Sequence, residues 1–152
     1  MEEHVSTVAP ESPTGSFAEH LEQSTESAAV SGGPSQKAEL FVNGASIGWL
    51  GETDGEWCVV AGRDSALALE AYVYSSVLYY RKASATSRYL SVSDGYNYVG
   101  FYNWYGARGW TYKDGVLTSL YTNASLSIWS SDNAYVYANG GSGYTPVTVA
   151  FH

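Results

Sequence analysis

Three stretches of the chain begin alike and recur at nearly constant spacing, and this repetition limits the possible folds more than any other feature. Glu39-Leu40-Phe41-Val42, Val77-Leu78-Tyr79-Tyr80 and Val116-Leu117-Thr118-Ser119-Leu120 open successive units, with Leu40, Leu78 and Leu117 separated by 38 and 39 positions. A second run follows each: Ile47 to Leu50, Arg88-Tyr89-Leu90-Ser91-Val92, and Ser125-Leu126-Ser127-Ile128-Trp129. Then comes a turn dipeptide, Asp54-Gly55, Asp94-Gly95 or Asp132-Asn133, built from residues that tolerate the positive φ of tight hairpins. Third runs lie at Trp57-Cys58-Val59-Val60, Tyr98 to Tyr102 and Ala134 to Tyr137, and fourth runs at Ala66 to Tyr74, Gly109 to Tyr112 and Thr145 to Val149.

Short β-branched or aromatic runs punctuated by Gly, Asn, Asp and Ser predict antiparallel strands. Residues 37 to 152 therefore read as one all-β domain of twelve strands in three degenerate four-stranded units. One such unit cannot bury its apolar face alone, whereas three packed around an axis close a core and remove exposed edges. A β-sandwich is the alternative, because sandwiches share short strands and regular turns. The glycine-rich run Asn139-Gly140-Gly141-Ser142-Gly143 occurs once, which disfavours a propeller or prism fragment.

The strand count and the period resemble the β-trefoil superfamily. Arg88-Tyr89-Leu90-Ser91-Val92 and the later Gly109-Trp110 are similar to strand motifs of ricin-B-like and fascin-like trefoils. The resemblance implies a six-stranded barrel capped by a triplet of hairpins. The Gln-x-Trp triplet of ricin-type lectins is absent, with Leu67, Trp110 and Val147 near the corresponding strand, so the sugar sites of that group are not carried over.

Charge is unevenly distributed. Of the net -8, residues 1 to 36 hold -6, from Glu2, Glu3, Glu11, Glu19, Glu22 and Glu26 with no Lys or Arg, leaving -2 for the rest. This acidic arm, rich in Ser, Thr and Glu, is too poor in large apolar groups to offset ordering entropy and reads as disordered. A short helix from Ser16 to Ala29, capped by Ser16 with Glu19, is its one structural option. Val30-Ser31-Gly32-Gly33 resembles the double-glycine end of an exported precursor's leader, although its composition fits a flexible linker much better. Seven scattered Lys and Arg argue against nucleic acid and against anionic membrane surfaces. No basic start with an apolar run marks a signal peptide, which predicts a cytoplasmic chain or one exported by another route. No segment is long and apolar enough to insert into a bilayer as a helix.

Catalytic inventory is sparse. His4 and His20 lie in the arm and His152 is the last residue, so Ser/His/Asp and Cys/His arrangements lack a base inside the domain. One cysteine, Cys58, gives no disulfide or zinc cluster and reads as a buried small hydrophobe. Glu52, Asp54 and Glu56 form the densest carboxylate group. They could supply a glycosidase pair or a weak calcium site, but read more simply as a turn-forming Asp54 with solvated Glu52 and Glu56. Neither an enzyme nor a cofactor is expected.

Aromatic groups beside amides are abundant. Asn97, Asn103, Trp104, Tyr105 and Arg108 surround the loop ahead of Gly109, and Trp129, Asp132, Asn133, Asn139 and Tyr144 form a comparable set with Tyr137 in the third unit. A ring face can stack on the C–H face of a pyranose while amide, carboxylate and guanidinium groups bond its hydroxyls. These residues predict glycan binding at shallow, weak sites, useful when two or three act together or the chain oligomerises. The Tyr, Ser, Gly and Asn bias makes a protein-binding inhibitor or toxin-like module the alternative, and aromatics are also good strand formers.

Overall fold

A computed structural model describes residues 35–129 and 134–152. The predicted arm up to residue 34, with its optional helix, and the dipeptide Asp132-Asn133 lie outside the described residues. The described chain is all-β. Its strands are β1 (Ala38–Val42), β2 (Ala45–Glu52), β3 (Cys58–Ala61), β4 (Leu69–Tyr74), β5 (Val77–Lys82), β6 (Ala85–Val92) and β7 (Val99–Tyr102). They continue with β8 (Trp110–Lys113), β9 (Val116–Ser119), β10 (Ser127–Trp129), β11 (Val136–Tyr137), β12 (Tyr144–Pro146) and β13 (Thr148–Phe151). Single 3-10 turns occupy Arg63–Ser65 and Trp104–Gly106.

The fourth run of the third unit is two strands, where the sequence predicts one. Val147 turns into the core and its N–H donates to the Leu126 carbonyl at 2.9 Å. On either side the backbone serves different neighbours, β12 pairing with β10 and β13 with β1.

Hairpin chemistry sets most of the remaining pairing. Asn43-Gly44 joins β1 to β2 with φ of 51° and 81°, and Asp114-Gly115 joins β8 to β9 with 54° and 80°. Two successive positive φ values are what a two-residue hairpin turn with the strands' own twist requires. Ser75-Ser76 makes the same connection from β4 to β5, at 55° and 66°, without a glycine.

Antiparallel pairs run β13–β1–β2–β3 and β4–β5–β6–β7, with β8 joining β5 and β9 joining β8. Isolated bridges tie Trp57 to Gly100, Val59 to Tyr135 and Tyr98 to Tyr137, so the third runs of all three units meet one another. Gln36, one residue before the predicted domain start, bridges Leu69.

The repeated leucines mark the core: Leu40, Leu50, Leu90, Leu117 and Leu126 are buried, and Leu78 packs against them half-buried. Trp110 lies among them and satisfies its indole N–H on the Leu90 carbonyl at 3.0 Å, as a buried donor must. Cys58 is buried here as a small hydrophobe, and that burial pushes its thiol pKa up, away from reactivity. Tyr89 and Phe101 are buried and Tyr135 half-buried, as their strand positions predict. Tyr112 departs from that pattern. It is 38% exposed, lying over the sheet edge to donate to the Val149 carbonyl at 2.7 Å.

Candidate functional site

The aromatic and amide residues of the middle unit are held largely by one another. Asn103 caps the 3-10 turn, its side-chain oxygen accepting from the Gly106 N–H at 3.2 Å. The Trp104 ring is ringed by Tyr72, Tyr74, Tyr79 and Tyr89, with centroids at 6.2, 5.3, 5.0 and 5.1 Å, mostly edge to face. Tyr105, one position on, is 53% exposed. Arg108 is buried, and its guanidinium covers the Tyr121 ring at 3.3 Å.

Asn97 and Asn139 meet across the units: Asn139 Nδ2 donates to Asn97 Oδ1 at 3.2 Å and to the Tyr96 carbonyl at 3.1 Å. Trp129 packs on Tyr144, and Tyr144 on buried Tyr137. Asn139 Oδ1 also accepts from the Gly141 N–H at 2.8 Å, and the Asn97 carbonyl accepts from the Ala138 N–H at 3.0 Å. Both asparagines therefore stand beside the Tyr137 and Tyr144 group, while Trp104 belongs to a separate cluster; Asp132 and Asn133 lie outside the described residues. Of the expected residues that are described, Tyr105 and Asn103 are the exposed members.

A cavity of about 630 Å³ opens elsewhere, at the loop between β2 and β3. Its shape begins with the backbone. Thr53 N–H donates to the Trp57 carbonyl and Glu56 N–H to the Thr53 carbonyl, both at 2.9 Å, while Trp57 N–H reaches Thr53 Oγ1 at 3.2 Å. Glu56 takes a left-handed φ of 67°, a conformation that costs a side-chain-bearing residue energy. Its carbonyl accepts from Phe101 N–H at 3.0 Å, docking the loop on β7. Gly100 permits that approach, because a Cβ there would stand 2.8 Å from Trp57 Cε3 and 3.0 Å from the Glu56 oxygen.

Two strands of the middle unit supply cations to this loop. Lys82 Nζ, at the end of β5, lies 2.6 Å from Glu56 Oε2 and 2.7 Å from Glu52 Oε1, the second contact being an ion pair outside good hydrogen-bond alignment. Arg88 on β6 donates from Nη2 and Nε to Glu56 Oε1, at 2.5 and 3.0 Å, and from Nη2 to the Phe101 carbonyl at 2.9 Å. The lysine is almost covered, with 7% of its side chain exposed, and its ammonium lies 4.9 Å from the Phe101 ring. Glu52 and Glu56 are therefore ion-paired rather than simply solvated.

Burial of the Glu56 carboxyl opposes its ionisation, but the hydrogen bonds and charges of Lys82 and Arg88 outweigh it, so its pKa falls below the ordinary value. Burial likewise works against the charged Lys82, yet bonding to Glu52 and Glu56 raises its pKa overall. Trp57, Phe101 and Tyr102 lie almost fully buried beneath the cavity wall, and Asp54 and Gly55 stand at its exposed rim. Burial drives the Tyr102 phenol upward, keeping it neutral.

Sequence reasoning found the carboxylates of this loop and missed its cations. One signal was available: three acidic residues within five positions, next to the buried Cys58, need compensation from a chain holding only seven Lys and Arg.

No model of a known protein family matches the chain, and neither a curated protein nor a solved structure does.

Proposed function

We propose that this chain is a non-catalytic carbohydrate-binding module on a β-trefoil frame, with its site in the cavity at the β2–β3 loop. The three-way meeting of third runs supports the trefoil reading, as does a circuit of neighbours from Gln36, two residues ahead of β1, through β4, β5, β8, β9 and β13 back to β1. A fold by itself says little of function.

The observation that carries the binding reading is the cavity's polar lining, with carboxylates, an ammonium and a guanidinium over almost fully buried aromatic side chains. Carboxylates and guanidinium are the groups that bond a pyranose's hydroxyls. A volume of about 630 Å³ lies within the range of small-molecule sites. Lys82 and Arg88 favour the ionised form of Glu56, which suits it to accept hydrogen bonds from sugar hydroxyls and not to act as a glycosidase's protonated acid.

The test is a glycan-array screen of the full chain beside its Arg88→Ala variant, with a thermal melt of each. Selective binding lost in a folded variant supports the proposal; silence of the wild-type chain across the array overturns it.

A protein-recognition reading is favoured by one observation. Tyr96, Leu120 and Tyr121 are 52%, 52% and 48% exposed, and the Tyr121 hydroxyl donates to Asp94, two positions from Tyr96. Neighbouring exposed aromatic groups of this kind suit a protein interface. A silent array would direct the search to this surface.

A further inference from the structure

Resting on the carbohydrate reading of the same cavity, we infer that it selects sugars bearing a free amino group over neutral and, above all, acidic sugars. Glu52, Asp54 and Glu56 line the cavity with Lys82 and Arg88, so it carries a formal charge of -1.

Both cations are engaged inside the protein. Lys82 is held between two carboxylates and nearly covered, and Arg88 is committed to Glu56 and to the Phe101 carbonyl. An incoming carboxylate or sulfate finds no uncommitted cation and must compete with Glu56 for Arg88. Asp54 differs from the other two acids. It is exposed at the cavity rim and takes part in no ion pair among the described residues. An ammonium group on a sugar ring seated in the cavity gains a charge-assisted hydrogen bond there, which an acetamido or hydroxyl group cannot match. The remainder of the ring is recognised as a neutral sugar's would be, so the amino group adds preference to a site that already binds carbohydrate.

The experiment is calorimetric titration of the full chain, at about pH 6 where a sugar amine is protonated. The ligands are glucosamine oligomers, N-acetylglucosamine oligomers of equal length, a glucuronate-containing oligomer, and putrescine as an ammonium without a sugar. The expected order is glucosamine about fivefold tighter than its N-acetylated counterpart, with no measurable binding of the glucuronate oligomer or putrescine. The preference should shrink as salt is raised, and Asp54→Asn should bring the ratio to about one. Equal affinities in the wild-type chain, or a ratio that survives Asp54→Asn, overturn the amino-sugar inference while leaving the carbohydrate reading intact. Putrescine binding as tightly as the glucosamine oligomer overturns it as mere charge attraction, and no binding of any oligomer overturns both.

Discussion

Glu56 Oε2 and Lys82 Nζ, 26 positions apart in sequence, meet at 2.6 Å and fasten the β2–β3 loop of the first unit to β5 of the second. Lys82 also separates Glu56 from Glu52. Lys82→Ala should leave two neighbouring carboxylates facing each other without their shared cation, and should lower unfolding stability by about 3 kcal/mol. Urea denaturation followed by tryptophan fluorescence measures it; a loss below about 1 kcal/mol means that the lattice is no firmer than a surface pair.

The same lattice sets a pH dependence. Because the folded protein lowers the Glu56 pKa from 4.5, its ionised form favours folding above that value, and the contribution fades as pH falls through the lower, folded-state value. Melts between about pH 6 and pH 3 should show stability falling with acid, with a shallower fall in Glu56→Gln. Parallel curves for the two proteins would contradict the assignment.

Trp104 is packed by four tyrosines from β4, β5 and β6. Trp104→Ala should therefore act first on stability, with a loss of about 3 kcal/mol, seen as an earlier urea midpoint. A variant as stable as the wild type would show that the ring is dispensable to packing and return it to the list of ligand contacts.

Ser75 and Ser76 both hold positive φ in a two-residue turn, where a glycine pays no Cβ penalty. Ser76→Gly should raise stability by about 0.5 kcal/mol, detectable as a higher melting temperature. Gly100→Ala is the opposite case, since the added methyl meets Trp57; it should cost about 2 kcal/mol and shift tryptophan emission.

Much of the fold was legible because alternation of apolar and polar residues is a local property. Leu40, Leu90 and Leu117 sit in runs whose pattern already says strand, and all are buried. The division at Val147 was not legible, because it depends on which neighbours the flanking residues find, β10 on one side and β1 on the other. The surroundings of the expected site residues were harder to read for the same reason. Trp104 follows Asn103 in a loop and reads as a surface residue, yet the tyrosines that surround it are spread from Tyr72 to Tyr89. The partners of Glu56 lie 26 and 32 positions away, and only the docking of one unit on the next brings them together.

The pairing of β1 with β13 has a consequence in time. Lys37 and His152 exchange backbone hydrogen bonds at 2.9 Å, and Glu39 reaches His152 across 113 positions. During synthesis β1 can find β2 at once, but its other edge waits until the ribosome has released β13. Contacts of such separation make folding slow, and an unpaired strand edge in a half-made chain invites the wrong partner. With β2 alone at its side, β1 stays half-paired through that interval, and an edge that the finished fold covers stands open while the rest of the domain is made.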